Sequence, residues 1–267
     1  LDKICILKIP KNEEATLNIE VTLDEVGCDY ILIIAEENSK VDILQKEYGK
    51  GKARFGKVKI IARENAEVNY IIHQQFDQLH NFFWVEGETA RNAKINILTL
   101  NLGSAFTKME TVVNLNGEGS ESKTYGMFFG LNEQQCDLYS ITNHNAKQAT
   151  SYMFTRGVVK DKAKALYRGL INVGKDAFGT NGYQKEDVLI LNEGAEADAI
   201  PNLEINNNDV KCSHGVSIGK ISEEHLFYLM SRGLDEPEAK KEIIQGFFYP
   251  ILKEFHIDLE IEVKERL

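Results

Sequence analysis

The sequence predicts a mainly β protein: a β-helix, or β-solenoid, followed by a short C-terminal helical pair. Three observations carry this reading. A turn-plus-strand unit recurs every 27 residues, apolar and polar residues alternate after each turn, and proline stays out of residues 11–199. A fixed period of this size signals stacked coils, each too small to bury its own apolar face alone. A continuous backbone ladder also has no place for a residue without an N–H.

The repeat is clearest in Asn38-Ser-Lys-Val-Asp42, Asn65-Ala-Glu-Val-Asn69 and Asn92-Ala-Lys-Ile-Asn96. Each runs on into an apolar stretch, Ile43-Leu44, Tyr70-Ile-Ile72 and Ile97-Leu98. Looser echoes begin at Gly119, Asn145, Asp161 and Glu193. Within Ala93–Leu100 the strand period turns Ile95 and Ile97 inward and, after a slip, Leu100 as well. Thr111–Asn116, Ala165–Val173 and Val188–Leu191 alternate likewise. The β-helix is expected over residues 1–221.

The pattern then changes. Ser222-Glu-Glu-His225 reads as an N-cap with acidic first-turn residues, and Leu226, Leu229 and Met230 form a helical stripe ended by Gly233. A second helix opens at Asp235-Glu236 with Pro237 in its first turn. It carries Ala239, Ile243, Ile244, Phe247, Phe248 and Ile251 on one broad side. The helical region spans 222–256, and the alternating Ile257–Val263 is expected to return as a strand within 257–267.

Composition narrows the function classes. With 31 Lys+Arg against 41 Asp+Glu, the net charge of −10 excludes a nucleic-acid or anionic-membrane surface. No apolar run reaches the ~18–20 residues needed to cross a bilayer. The opening LDKICILKIPKNEE lacks a signal-peptide plan, so a cytoplasmic location is expected. Cys5, Cys28, Cys136 and Cys212 are too dispersed for a closed metal motif and are expected as small buried hydrophobes.

Several motifs invite chemistry. Gly51-Lys-Ala-Arg-Phe-Gly-Lys-Val58 approaches a phosphate-binding loop but ends on Val58 and leads into strand-like alternation, so it reads as a basic turn. A carbohydrate-active β-helix enzyme would need two converging carboxylates, for which Asp198 and Glu204 on adjacent coils are the candidates. His144, between Asn143 and Asn145, reads as a turn residue, and His73 and His80 have no partner pattern. Cys212-Ser213-His214 is the most chemical spot: on an extended strand Cys212 and His214 share a face. They could share a soft metal, or the imidazole could lower the thiol pKa.

Residues from about 145 to 250 resemble the SufB/SufD family of SUF-system iron–sulfur cluster assembly proteins. The resemblance rests on an ordered series: Arg168-Gly-Leu-Ile-Asn-Val173, Gln184, Leu189-Ile-Leu191, Pro201-Asn-Leu-Glu-Ile205, Asp209-Val-Lys-Cys-Ser-His-Gly215, Leu226-Phe-Tyr-Leu-Met-Ser-Arg-Gly233 and Gly246-Phe247. It implies a right-handed parallel β-helix and a non-catalytic scaffold. It also implies pairing with a second copy or a SufB-like chain, and C-terminal helices that dock the ABC-type ATPase SufC, which supplies the nucleotide site. Leu226, Phe227, Tyr228, Arg232, Phe247 and Phe248 are then the expected docking residues. The Cys-Ser-His-Gly segment is similar to the D-type version, which places a transient cluster, shared across a dimer interface, on His214 with Cys212 beside it. The B-type cysteine falls at Glu186, a carboxylate that can still bind iron. A purely structural adaptor without a cluster, its Cys212 and His214 packed in the core, is the competing reading.

Overall fold

The computed structural model describes residues 3–255. Its strands are β1 Lys3–Ile9, β2 Glu14–Leu23, β3 Val26–Ala35 and β4 Lys40–Lys50. Then follow β5 Ala53–Ala62, β6 Glu67–Asp77, β7 His80–Thr89 and β8 Lys94–Asn101. Next are β9 Phe106–Leu115, β10 Glu121–Gly130, β11 Gln135–His144 and β12 Thr150–Val159. The last four are β13 Lys164–Val173, β14 Thr180–Ile190, β15 Glu196–Ile205 and β16 Val210–Gly219, before helices α1 Glu223–Ser231 and α2 Glu236–Glu254. Odd-numbered strands build one 8-stranded sheet and even-numbered strands the other, so each coil gives one strand to each. Pairing is parallel throughout, as in the register Ile31↔Val58↔Val85. The expected return strand at 257–267 lies outside the described residues.

The asparagine repeat is the corner of the coil. Asn38, Asn65 and Asn92 have φ of 57°, 56° and 53°, the left-handed conformation that asparagine tolerates better than most side chains. Their amides form a ladder along the solenoid, Asn65 to Asn38 at 3.0 Å and Asn92 to Asn65 at 3.2 Å. The ladder begins one coil before the sequence repeat shows it, because Asn12 has φ of 62° and accepts from Asn38 at 2.9 Å. Gly119, Gln148 and Gly179 continue this corner, whereas Asp161 and Gly194 belong to the opposite one. The loose echoes therefore mix two corner columns.

Side-chain parity fills the lumen with Val41, Ile43, Ile60, Val68, Ile72, Ile95, Ile97 and their neighbours. Leu100 corrects the expected slip. It stays on the outer face with Leu98, and both are buried because α2 lies over them. Ile244, Phe248 and Ile251 of α2 pack on Leu98, Leu100, Met127, Phe129 and Val158 of the even-numbered sheet. Strands covered on both faces lose the simple inside–outside alternation.

Further expectations change in the same way. Only Cys136 is buried; Cys5, Cys28 and Cys212 are half-buried. His144 is no turn residue: it closes β11 on the lumen side, its Nε2 lies 2.8 Å from Ser151 Oγ, and burial pushes its pKa down to about 4. The Gly51 segment is a turn only at Gly51-Lys52, then β5. That strand carries Arg54 into the lumen, where it meets Asp29 through two 2.8 Å hydrogen bonds and Glu47 at 2.7 Å. Burial opposes the Arg54 charge, but the two carboxylates hold it above its ordinary value.

Candidate functional site

Among the described residues, no layer covers the last coil of the solenoid. Its strands β15 and β16 are the outer members of the two sheets, and their lumen-side residues Ile205, Val216 and Ile218 are exposed. Register places Cys212 beside Gly182, His214 beside Gln184 and Val216 beside Glu186. Because side-chain direction repeats every second residue, Cys212, His214 and Glu186 all occupy the lumen-side face of β14 and β16. Cys212 and His214 therefore share a face, as their spacing requires.

The three groups differ in state. Cys212 is half-buried against the cluster of Met153, Ile171, Val173 and Ala177, in room that Gly182 leaves: a Cβ there would sit 3.2 Å from Sγ. Burial raises the Cys212 thiol, against a smaller opposing pull from the Gly182 backbone. The expectation of a lowered thiol pKa is thereby corrected. His214 is exposed at the open edge. Glu186 is only 2% exposed, and neither carboxylate oxygen has a hydrogen-bond partner. Burial first, and Asp187 second, push its pKa up to about 9, so it is a neutral acid near pH 7. Among the described residues no three His, Cys, Asp or Glu side chains converge as a metal site. One chain thus offers a thiol, an imidazole and a buried acid on two adjacent strands, short of a closed set.

The helices present a second surface. No residue of α1 is buried, and Phe227 and Tyr228 are 75% and 54% exposed. Leu226 is half-buried, while exposed Arg232 lies 5.4 Å from the Tyr228 ring centroid. On α2 the expected docking pair divides. Phe248 is fully enclosed against Phe129, so it holds the helix to the sheet and is not a surface anchor. Phe247 is half-buried beneath Arg156, whose guanidinium carbon lies 4.7 Å from its ring centroid. Arg156 was not legible as important; its only signal is a cation between outward-facing Phe154 and Val158.

The paired-carboxylate expectation fails. Asp198 and Glu204 lie on one strand, β15, rather than on adjacent coils. Six residues of extended chain put them about 20 Å apart, against the roughly 5–9.5 Å used in glycoside hydrolysis.

Fold and site first define a class: a parallel β-solenoid, open at its last coil among the described residues, with a helical pair of which the second helix docks along one sheet. The SufBD core domain of SUF-system iron–sulfur cluster assembly matches residues 20–247. An iron–sulfur cluster assembly SufBD family protein of Staphylococcus saprophyticus is 31% identical over 237 residues, 87% of this chain and 51% of the relative. Family proteins of Staphylococcus epidermidis and Staphylococcus aureus are each 30% identical over the same lengths. The chain belongs to the SufBD family of SUF-system iron–sulfur cluster assembly proteins. It spans about half the length of the curated relatives it matches. Among the described residues no helix is long and apolar enough to cross a membrane.

Proposed function

We propose that this chain is a non-catalytic, SufD-like scaffold subunit acting in the cytoplasm. It pairs through the open end of its solenoid with a second copy or a SufB-like chain. The transient cluster, which is cargo rather than a resident cofactor, is held at that junction. The observation that carries this reading is the arrangement of Cys212, His214 and Glu186 on one face of the last two strands of a sheet, too few for a closed site in one chain. A second subunit would complete the ligand set, and coordination would draw the proton from Cys212 and from Glu186. The exposed Phe227 and Tyr228, with Leu226 and Arg232, offer the docking surface for a SufC-type ATPase, which brings the nucleotide.

Anaerobic reconstitution with ferrous iron and sulfide, read by metal content and thiolate-to-iron absorbance, tests the cluster site. The wild type is expected to retain iron and sulfide that a Cys212→Ala, His214→Ala variant loses. Equal retention by both refutes the assignment. The raised thiol of Cys212 favours the alternative, a structural adaptor that binds no cluster, and equal non-retention would be its signature.

A further inference from the structure

Helix α2 is held to the even-numbered sheet chiefly by apolar contacts, which are non-directional and permit sliding. Polar ties behave differently, and Arg156 of β12 makes an unusual one. Its Nη1 donates to the carbonyl of Phe247 on α2, while Nη2 reaches Asp187 Oδ2 of β14 at 3.5 Å. The guanidinium lies between two rings, with centroids 4.8 Å away at Phe154 and 4.7 Å away at Phe247. It thus touches α2 and β14 at once, and β14 also carries Glu186, beside Asp187 on the opposite face.

The point of attachment on α2 is also a weak one. Pro250 has no N–H to give the carbonyl of Gly246, and a glycine and a proline within one turn are the usual site of helix bending. Arg156 grips the residue directly after that glycine. Burial lowers the Arg156 pKa, with Asp187 opposing, as expected for a desolvated cation held by one nearby carboxylate. Lys185 lies 3.1 Å from the same Asp187 oxygen, so the carboxylate keeps a cation if Arg156 withdraws.

We propose that Arg156 is a positioning residue that latches α2 to β14, so that displacement of α2 about Gly246–Pro250 is felt in the strand bearing Glu186. The latch rests on the docking reading only for what would displace α2. Energetic coupling through one shared group is reciprocal, so loosening either side loosens the other.

Amide hydrogen exchange on the full chain, with neither ATPase nor iron present, tests this. Arg156→Met keeps the stem between the two rings and removes the donors. It should speed exchange in α2 (244–252) and in β14 (180–190) together, by about fivefold or more. Asp187→Asn, made on the strand side, should speed exchange in α2 as well, and it carries the test if Arg156→Met does not fold. Leu98→Ala, which removes apolar support beneath α2 with the latch in place, should speed α2 and, through Arg156, β14; in the Arg156→Met background the same change should speed α2 and leave β14 at the Arg156→Met rate. The latch is overturned if Arg156→Met leaves β14 unchanged, if Asp187→Asn leaves α2 unchanged, or if Leu98→Ala speeds β14 by the same factor with and without Arg156. Failure here leaves the docking and cluster readings standing, and their failure, seen in pull-down or iron retention, leaves the latch intact.

Discussion

Replacing Glu186 by Gln should stabilise the protein, and the gain should grow with pH. The carboxyl sits in the lumen between Thr155 and Val216 in register, 2% exposed and without a hydrogen-bond partner. Its pKa is raised from an ordinary 4.5 to about 9. In the unfolded chain the group ionises above pH 4.5; in the folded chain it keeps its proton until about pH 9. Folding must therefore bind a proton throughout that window, and stability falls as pH rises through it. Below the ordinary carboxyl range both states are protonated and the penalty vanishes. The slope is ~1.4 kcal/mol per pH unit, which gives a penalty of about 3 kcal/mol at pH 7 and under ~1 kcal/mol at pH 5. Glutamine has the shape of the protonated acid and cannot ionise, so it removes the penalty without emptying the site. For a chain of this size the expected gain in thermal midpoint is roughly 6 °C at pH 7 and about 2 °C at pH 5. Melting curves of wild type and Glu186→Gln from pH 5 to 8.5 give the measurement. A difference that stays constant across this range means the folded carboxyl is already ionised, and the reasoning from burial fails.

Three further outcomes follow from packing and exposure. Phe248→Ala should lower stability by about 3–5 kcal/mol, since a fully enclosed ring between α2 and the sheet is lost, and equilibrium unfolding reads this directly. Phe227→Asp, on an exposed face, should leave the melting curve unchanged and weaken capture of a SufC-type ATPase; unchanged capture would place docking elsewhere. Gly157→Ala should destabilise by at least ~1–3 kcal/mol, because its Cβ would meet the Phe128 ring at 1.9 Å in the lumen. A melting curve matching the wild type would mean that Phe128 has another place to go.

The coil was legible because it is written locally. A corner asparagine in the left-handed conformation, followed by strict alternation, defines where each strand starts and which side chains enter the lumen. The helical pair was equally legible, from Ser222 as a cap and from Asp235-Glu236 with Pro237 in the first turn, where the structure adds a reciprocal capping box between Asp235 and Glu238. The Cys212–His214 face followed from the same parity. Less legible were Asn12, whose repeat unit diverges from the later ones, and the lumen position of His144, masked by polar neighbours.

By itself, then, the sequence determined the architecture: stacked coils, their inward residues, the change to helices near residue 222 and the shared face of Cys212 and His214. Each depends on backbone geometry over a few residues, which repeats identically wherever the pattern recurs. Only the tertiary structure decided what covers what. It buried Leu98 and Leu100 beneath a helix more than 130 residues away, divided the helical aromatics into packing and exposed groups, set Asp198 and Glu204 on one strand, and left Glu186 buried without a hydrogen-bond partner. Cover and desolvation come from distant parts of the chain, and a local pattern carries no record of them.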